Sequence, residues 1–432
     1  MFPFRLHHKI PYIRRPFFQR DSAIAERDLA RRGEASAIAE RDAAARERDR
    51  AISSLANAGL SVSYPYNNLD GPLPTTPFAR TKAINFNEDI ELVRKIVVAY
   101  RLAIGAFEKD SSSYWDAVVQ DRTAELHAVL LSEDFERIQV LLRDPGQTDL
   151  HYGFENLARS IPTGGKESEP HSVGVYLELL ALATAIGVRR LKNFAMPATI
   201  TALPSVSELL LELDYTLGFH IDFPNPFPGE IGLDTSRGVA SYRAVQALYQ
   251  AWKISKLVSP GSRIAEIGAG LGRTCFYAYQ LGFRDYTIID IPMTAVAQAN
   301  FLGRILGPDA VALHGEGGSG IRILPPDGFL NSTRTYDLIV NVDSLTEVGR
   351  TAAESYSKAI SSRASALLSI NHEGNEFTVR ELFADLGFVP ETRAPCWVRR
   401  GYVDELFRFE VARGPSAHAA TRPSGHAAPR AR

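Results

Sequence analysis

The chain has 432 residues, with 48 Lys and Arg against 50 Asp and Glu for a formal net charge of -2, and two cysteines. That length exceeds what one core usually organises and implies more than one domain. The near-neutral balance gives no general pull toward nucleic acid or anionic lipid. Cys275 and Cys396, far apart and without Cys or His at ligand spacing, support neither a disulfide framework nor a zinc site, as expected for a cytoplasmic protein.

Residues 1–60 read as an extension whose first 20 residues lack an apolar signal core. Ser22-Ala-Ile-Ala-Glu-Arg-Asp28 returns as Ser36-Ala-Ile-Ala-Glu-Arg-Asp42, a shift of 14 residues, and Ala23, Ala30, Ala37, Ala44, Ala51 and Ala58 keep a seven-residue spacing. The pattern predicts a heptad-like helix, either solvated or a coiled coil joining copies into a homo-oligomer. Residues 61–230 read as a helical accessory domain: an extended connection to Thr81, then helical spacing over Glu88–Phe107, Tyr114–Leu142 and Val173–Lys192. Trp115, Tyr152 and Phe154 are candidates for a pocket lining or for the core. The apolar stretch Val173–Val188 is interrupted by Glu178 and is shorter than the roughly 20 residues that a bilayer needs, so no membrane partner is expected. Phe219–Gly229 alternates aromatic and proline residues and predicts a rigid loop. Asp234, Thr235 and Ser236 read as caps of an amphipathic helix over Arg237–Lys256, with Arg237 a candidate to face a ligand carboxylate.

From Arg263 onward strand and helix signals alternate. Arg263–Ile267, Thr287–Asp290, Val311–His314, Tyr336–Val340 and Ala366–Ile370 read as strands separated by helical patterns, which predicts a parallel sheet covered on both faces. Glu405–Ala412 alternates apolar and polar residues, as a half-exposed edge strand would. Residues 231–412 are therefore expected to be an α/β domain, and 413–432, poor in apolar residues, a disordered tail.

The most informative segment is Ile264-Ala-Glu-Ile-Gly-Ala-Gly-Leu-Gly-Arg273. An apolar strand carrying Glu266 runs into Gly268, Ala269, Gly270 and Gly272, which permits a tight turn, bare backbone against a ligand and a helix packed close behind. A second strand ends on Asp290 before Ile291, about 20 residues on, the offset expected of a ribose-binding acid. A dinucleotide fingerprint would want glycine at Arg273 and a P-loop would want G-K-[ST]; neither fits.

The E-x-G-x-G-x-G turn resembles motif I of class I S-adenosylmethionine-dependent methyltransferases. The resemblance implies that Glu266 contacts the methionine ammonium, that Asp290 holds the ribose hydroxyls, and that the fold is a Rossmann-like, mostly parallel seven-stranded sheet with a reversed last strand. Reading the other strand ends adds Glu316 as a candidate near the adenine and Asn341 as a cofactor contact. Three further residues stand where a proton acceptor would be useful: His372, Asp343 and Glu347. Glu373 or Asp343 are candidates to orient His372, and Asp343 and Glu347 could alternatively be the base or hold a divalent metal, although no metal site is assigned.

Together with Ile289-Asp-Ile-Pro292, Asn341-Val-Asp-Ser-Leu345 with Glu347, and Trp397-Val-Arg-Arg-Gly-Tyr402, the turn is similar to the sugar O-methyltransferase family over roughly Ser61–Ala412. That resemblance implies methylation of a sugar hydroxyl on a glycan, a nucleotide sugar or a glycosylated natural product. Alternatives are a methyltransferase with a non-sugar acceptor and a methyltransferase-like scaffold that has lost catalysis.

Overall fold

The computed structural model describes residues 73–82, 90–106, 123–132, 134–145, 148–151, 168–190, 203–318 and 320–410. The heptad segment, Trp115, Tyr152, Phe154 and the tail lie outside the described residues. All the described residues belong to one compact unit.

An eight-stranded sheet forms its centre. It is built from β4 (Ile264–Ile267), β5 (Tyr286–Ile289), β6 (Val311–Ala312), β7 (Ile321–Leu324), β8 (Leu338–Val342), β9 (Ala366–His372), β10 (Thr392–Pro395) and β11 (Tyr402–Arg408), in the order β10-β11-β9-β8-β4-β5-β7-β6. Strands β4 to β9 run parallel, and β11 is antiparallel to β9 along seven residue pairs, Tyr402 with His372 through Arg408 with Ala366. The reversed strand is as expected, but its place and limits differ. It begins at Tyr402, its centre is buried and β10 pairs outside it, so it is no edge; of the polar residues that suggested one, Glu405 is buried while Arg408 and Glu410 are exposed.

Alternation along the strands sorts side chains into two cores. Ile264, Tyr286, Ile288, Ile321, Ile323, Leu338, Val340 and Leu368 join one cluster; Ala265, Ile267, Ile289, Ile339 and Leu367 join the other. The first face is covered by α1 (Ile90–Ala106), α2 (Ala124–Leu131), α3 (Phe135–Arg143), α4 (Glu169–Ala185), α5 (Val206–Leu217), α6 (Tyr242–Leu257), α7 (Arg273–Gln280) and α8 (Pro292–Leu306). The second is covered by α9 (Pro326–Leu330), α10 (Arg350–Arg363) and α11 (Val379–Ala384). Both faces of the parallel strands are thus removed from water, which is why their sequences read as continuous apolar runs. Among the described residues no helix is long and apolar enough to cross a membrane.

Two elements differ from the sequence expectation in ways that matter for the site. The segment Asp234–Ser236 caps no helix; β2 (Ile231–Thr235) and β3 (Gly238–Ala240) form a hairpin there, paired through β2 with β1 (Phe78–Arg80), and the cap of α6 is Ser241, whose hydroxyl accepts the Ala244 amide at 3.2 Å. Asp, Thr and Ser suit a tight turn as well as a helix start, and Gly238, at φ 104°, decides for the turn. The second is β7, hidden between a glycine-rich loop and a proline pair, which inserts between β5 and β6.

Candidate functional site

Strand β4 has β5 on one side and β8 on the other, so the chain leaves the sheet centre in opposite directions and opens a crevice at the strands' carboxyl ends. The glycine turn sits in that crevice. Gly268, Gly270 and Gly272 all have positive φ, at 73°, 55° and 90°, and α7 begins immediately afterwards at Arg273. A Cβ on Gly268 would overlap the Cβ and Oγ of Ser344, so the approach of the two strand ends requires bare backbone. Ala269 closes the turn, its carbonyl accepting the Gly272 amide at 2.9 Å.

Asp290 follows β5, partly exposed beside the turn. One carboxylate oxygen accepts the Ile291 amide at 2.9 Å and the other accepts Gln298 Nε2 at 2.6 Å; the same amide group of Gln298 donates to the Gly270 carbonyl at 3.0 Å. Gln298, fully buried on α8, therefore fixes the acid relative to the glycines, and the motif gave no sign of it. Desolvation raises the Asp290 carboxyl to about 7 against the lowering effect of these hydrogen bonds.

Glu266 is placed differently from the expectation. Alternation turns its side chain to the first face, under α7, where it is 2 % exposed and accepts the Tyr286 hydroxyl at 2.8 Å. Burial, opposed by hydrogen bonds from Tyr286 and Thr274 and aided by Asp290, lifts its carboxyl to about 7. It is sealed beneath the turn rather than open to the crevice, so its influence on the crevice is through its field and not by an exposed contact. Arg273, where a dinucleotide motif would carry glycine, is buried and ion-paired to Glu230 at 2.7 Å, with its guanidinium 5.2 Å from the Phe301 ring centroid. Glu230 ends the aromatic and proline loop, so that loop is tied to the start of α7.

Glu316 does not lie beside Asp290. Strand β7 separates β6 from β5, and the Glu316 carboxylate accepts the Leu313 amide at 2.8 Å and pairs with Lys95 at 3.5 Å. The residue that follows the neighbouring strand in space is Asp327. Its charge and that of Asp290 both reach Tyr356, whose hydroxyl burial foremost makes harder to ionise. The alternating Ile321-Arg-Ile-Leu324 before Pro-Pro-Asp327 was the available signal.

Asn341, also expected at the cofactor, is fully buried, and its amide is consumed internally: Nδ2 donates to the Ile267 carbonyl at 3.0 Å and to Ser344 Oγ at 2.6 Å, while Oδ1 accepts Asn371 Nδ2 at 3.0 Å. It brackets β4, β8 and β9 and leaves no side-chain donor for a ligand.

At the carboxyl ends of β8, β9 and the start of β11 lie the remaining candidates. His372 is edge-on to Tyr402, ring centroids 5.3 Å apart, and its Nδ1 faces the Gly374 amide at 3.2 Å. Accepting that hydrogen bond puts the ring proton on Nε2, so the imidazole stands as a donor at its free nitrogen. Neither expected orienting carboxylate reaches it. Glu373 pairs with Arg393 at 2.6 Å, and Asp343 pairs with Arg399 at 2.7 Å and Arg243 at 3.7 Å. Burial alone would raise the Asp343 carboxyl; the two guanidinium groups, with hydrogen bonds from Arg399 and Tyr402, overcome it and hold the carboxyl below its ordinary value. A carboxylate so stabilised is a weak base. The Glu347 amide donates to the Ser344 carbonyl at 2.9 Å at the end of a short 3-10 turn, with the side chain half-buried. No group of three or more metal-ligating side chains occurs among the described residues. Arg237 is likewise engaged internally, donating to Asp214 at 2.7 Å and to the Ile221 carbonyl at 3.2 Å.

No protein-family model and no curated protein matches the sequence. Solved structures do match. Magnesium protoporphyrin IX methyltransferase from Synechocystis PCC 6803, solved with bound SAM, is 17% identical with a TM-score of 0.28 over 38% of this chain and 78% of that one. The mitomycin 7-O-methyltransferase MmcR is 16% identical with a TM-score of 0.31 over 74% and 94%. The glycopeptide N-methyltransferase MtfA, complexed with sinefungin, is 12% identical with a TM-score of 0.30 over 38% and 93%. At such identities and scores the likeness is descriptive and carries no assignment.

Proposed function

We propose that the protein is an S-adenosylmethionine-dependent methyltransferase acting on a sugar hydroxyl. The observation that carries the reading is the turn at the sheet's switch point: three glycines at positive φ, a buried acid beneath them and a second acid one strand away. A carboxylate under the turn suits a cationic ligand and repels a diphosphate, which separates this arrangement from dinucleotide sites. Gly268, Ala269, Gly270 and Gly272 would lie against the cofactor through backbone, Asp290 would accept its ribose hydroxyls, and Ile291 would flank its base. Bound there, S-adenosylmethionine supplies a methyl group on a sulfonium centre.

The chain's own contribution is alignment and proton removal. The bracket made by Asn341 fixes the β8 end against the glycine turn, which sets where an acceptor oxygen can stand. A sugar hydroxyl ionises far above neutral pH and benefits from a base. His372 serves once its Nδ1 exchanges the Gly374 amide for a donor role, freeing Nε2; Glu347 is the alternative proton acceptor. Asp343 positions arginines instead. One observation favours a second reading: with no carboxylate on His372 among the described residues, a phenol or amine acceptor, which needs less base assistance, also suits the site.

The test is mass spectrometry of products after incubation with labelled S-adenosylmethionine and a panel of free, phosphorylated and glycosidic sugars beside phenols and amines. Mass gain of one methyl group on sugars supports the reading. Gain only on non-sugars refutes the sugar acceptor, and absence of cofactor binding refutes the methyltransferase. Cytoplasmic location and self-association through the N-terminal heptads belong to the same proposal, and sedimentation of the chain with and without residues 1–60 tests the latter.

A further inference from the structure

The acceptor side of the crevice contains a charge arrangement that methyl transfer alone does not need. Arg399 and Arg243 approach the same oxygen of Asp343, at 2.7 and 3.7 Å, from separate elements: the loop before β11 and the first turn of α6. Two cations thus face one carboxylate. Arg399 also lies over the Tyr402 ring, its Cζ 3.5 Å from the centroid, which restrains the guanidinium. Asp343 itself is held in a rare conformation, φ 67° and ψ -46°, one of two non-glycine residues with positive φ among the described residues. Strain of this kind persists only where surroundings over-determine it, here the Asn341 and Ser344 bonds to the β4 end.

The side chains of Arg243 and Asp343 keep 25% and 20% of their surface exposed at the mouth where β8, β9 and β11 end, while Arg399 is 9% exposed behind them. Guanidinium forks held apart on rigid supports match the oxygens of a phosphate or carboxylate, and the resident Asp343 oxygen occupies the position such an oxygen would take.

We infer that Arg243 and Arg399 form a subsite for an anionic group on the acceptor, a phosphate or a carboxylate, with Asp343 as the internal counter-ion that the ligand displaces or shares. This rests on the methyltransferase reading and narrows its substrate class: the preferred acceptor is a sugar phosphate or a sugar acid, and a neutral sugar is a poor one.

The experiment titrates the full-length protein, saturated with S-adenosylhomocysteine, with inorganic phosphate, glucose 1-phosphate, glucuronate and glucose by calorimetry. Phosphate and at least one anionic sugar bind, and glucose binds at least about tenfold more weakly. Preference between glucose 1-phosphate and glucuronate identifies which anion the fork serves. Asp343→Asn removes the competing charge and tightens phosphate about tenfold, while Arg399→Lys, which keeps the charge and loses the fork, weakens it about tenfold. Failure of phosphate to bind both the wild type and Asp343→Asn, or equal binding by the wild type and both variants, overturns the inference. S-adenosylhomocysteine affinity, measured first and separately, reports on the methyltransferase reading, and Arg399→Lys leaves it within about twofold.

Discussion

The two halves of the crevice are made from different materials. At the β4 and β5 ends the working surface is backbone: glycines with positive φ, a Ser344 contact that admits no Cβ, and acids whose carboxyls are raised by burial. At the β8, β9 and β11 ends it is side chains: an imidazole, a tyrosine and two arginines around a carboxylate whose proton affinity is lowered. The first half suits a ligand that never changes, because backbone leaves little to vary; the second suits specificity, because side chains can be exchanged without disturbing the sheet.

Substitutions break or sharpen that contrast. The largest effect is expected for Arg273→Ala, which leaves the Glu230 charge buried without a cation among the described residues, held by Asn225 Nδ2 alone, and costs about 3–5 kcal/mol by denaturant unfolding. A cost under about 1 kcal/mol would mean the aromatic loop is not tied to the glycine turn. Next, Gly268→Ala forces a side chain into Ser344 at positive φ; it lowers stability by about 2–4 kcal/mol and S-adenosylhomocysteine affinity at least about tenfold. Gly261→Ala, with open space around its Cβ, stays within about 0.5 kcal/mol as the control.

The pH response follows from Glu266. Its folded carboxyl, at about 7, lies above its ordinary 4.5, so the folded state binds more protons and stability falls as pH rises between those values. Asp290, whose folded carboxyl is likewise raised to about 7, adds to the fall in the same window. The share due to Glu266 is about 1–3 kcal/mol, and Glu266→Gln reduces the slope without abolishing it; an unchanged slope in that variant would remove Glu266 as a cause. The smallest effect belongs to Glu316→Ala. Its ion pair with Lys95 is partly solvated and lies on the edge-strand loop, so stability changes by less than about 1 kcal/mol and cofactor affinity by less than about twofold. Marked loss of affinity would mean the edge strand reaches the cofactor after all.

Legibility in the sequence follows the same division. Backbone chemistry is local, so Gly268, Gly270, Gly272 and Asp290 were readable from 23 consecutive residues, 268 to 290, as were the apolar runs of β4, β5, β8 and β9. Where a polar residue interrupts a strand, as Arg322 does in β7, the pattern dissolves, so the sequence reading took Glu316, after β6, and passed over Asp327, which follows β7 beside β5. The arginine cluster was not readable at all, because residues 243, 343 and 399 meet only through three elements distant in sequence. Glu266 shows the intermediate case: motif and burial were each visible, but only strand alternation against Tyr286 decides which way the carboxylate points.

Calorimetric titration of the full-length protein with S-adenosylmethionine bears most directly on the glycine turn as a methyl-donor site. Saturable binding that Gly268→Ala weakens at least about tenfold is the predicted result. No heat and no thermal shift with either S-adenosylmethionine or S-adenosylhomocysteine would contradict it.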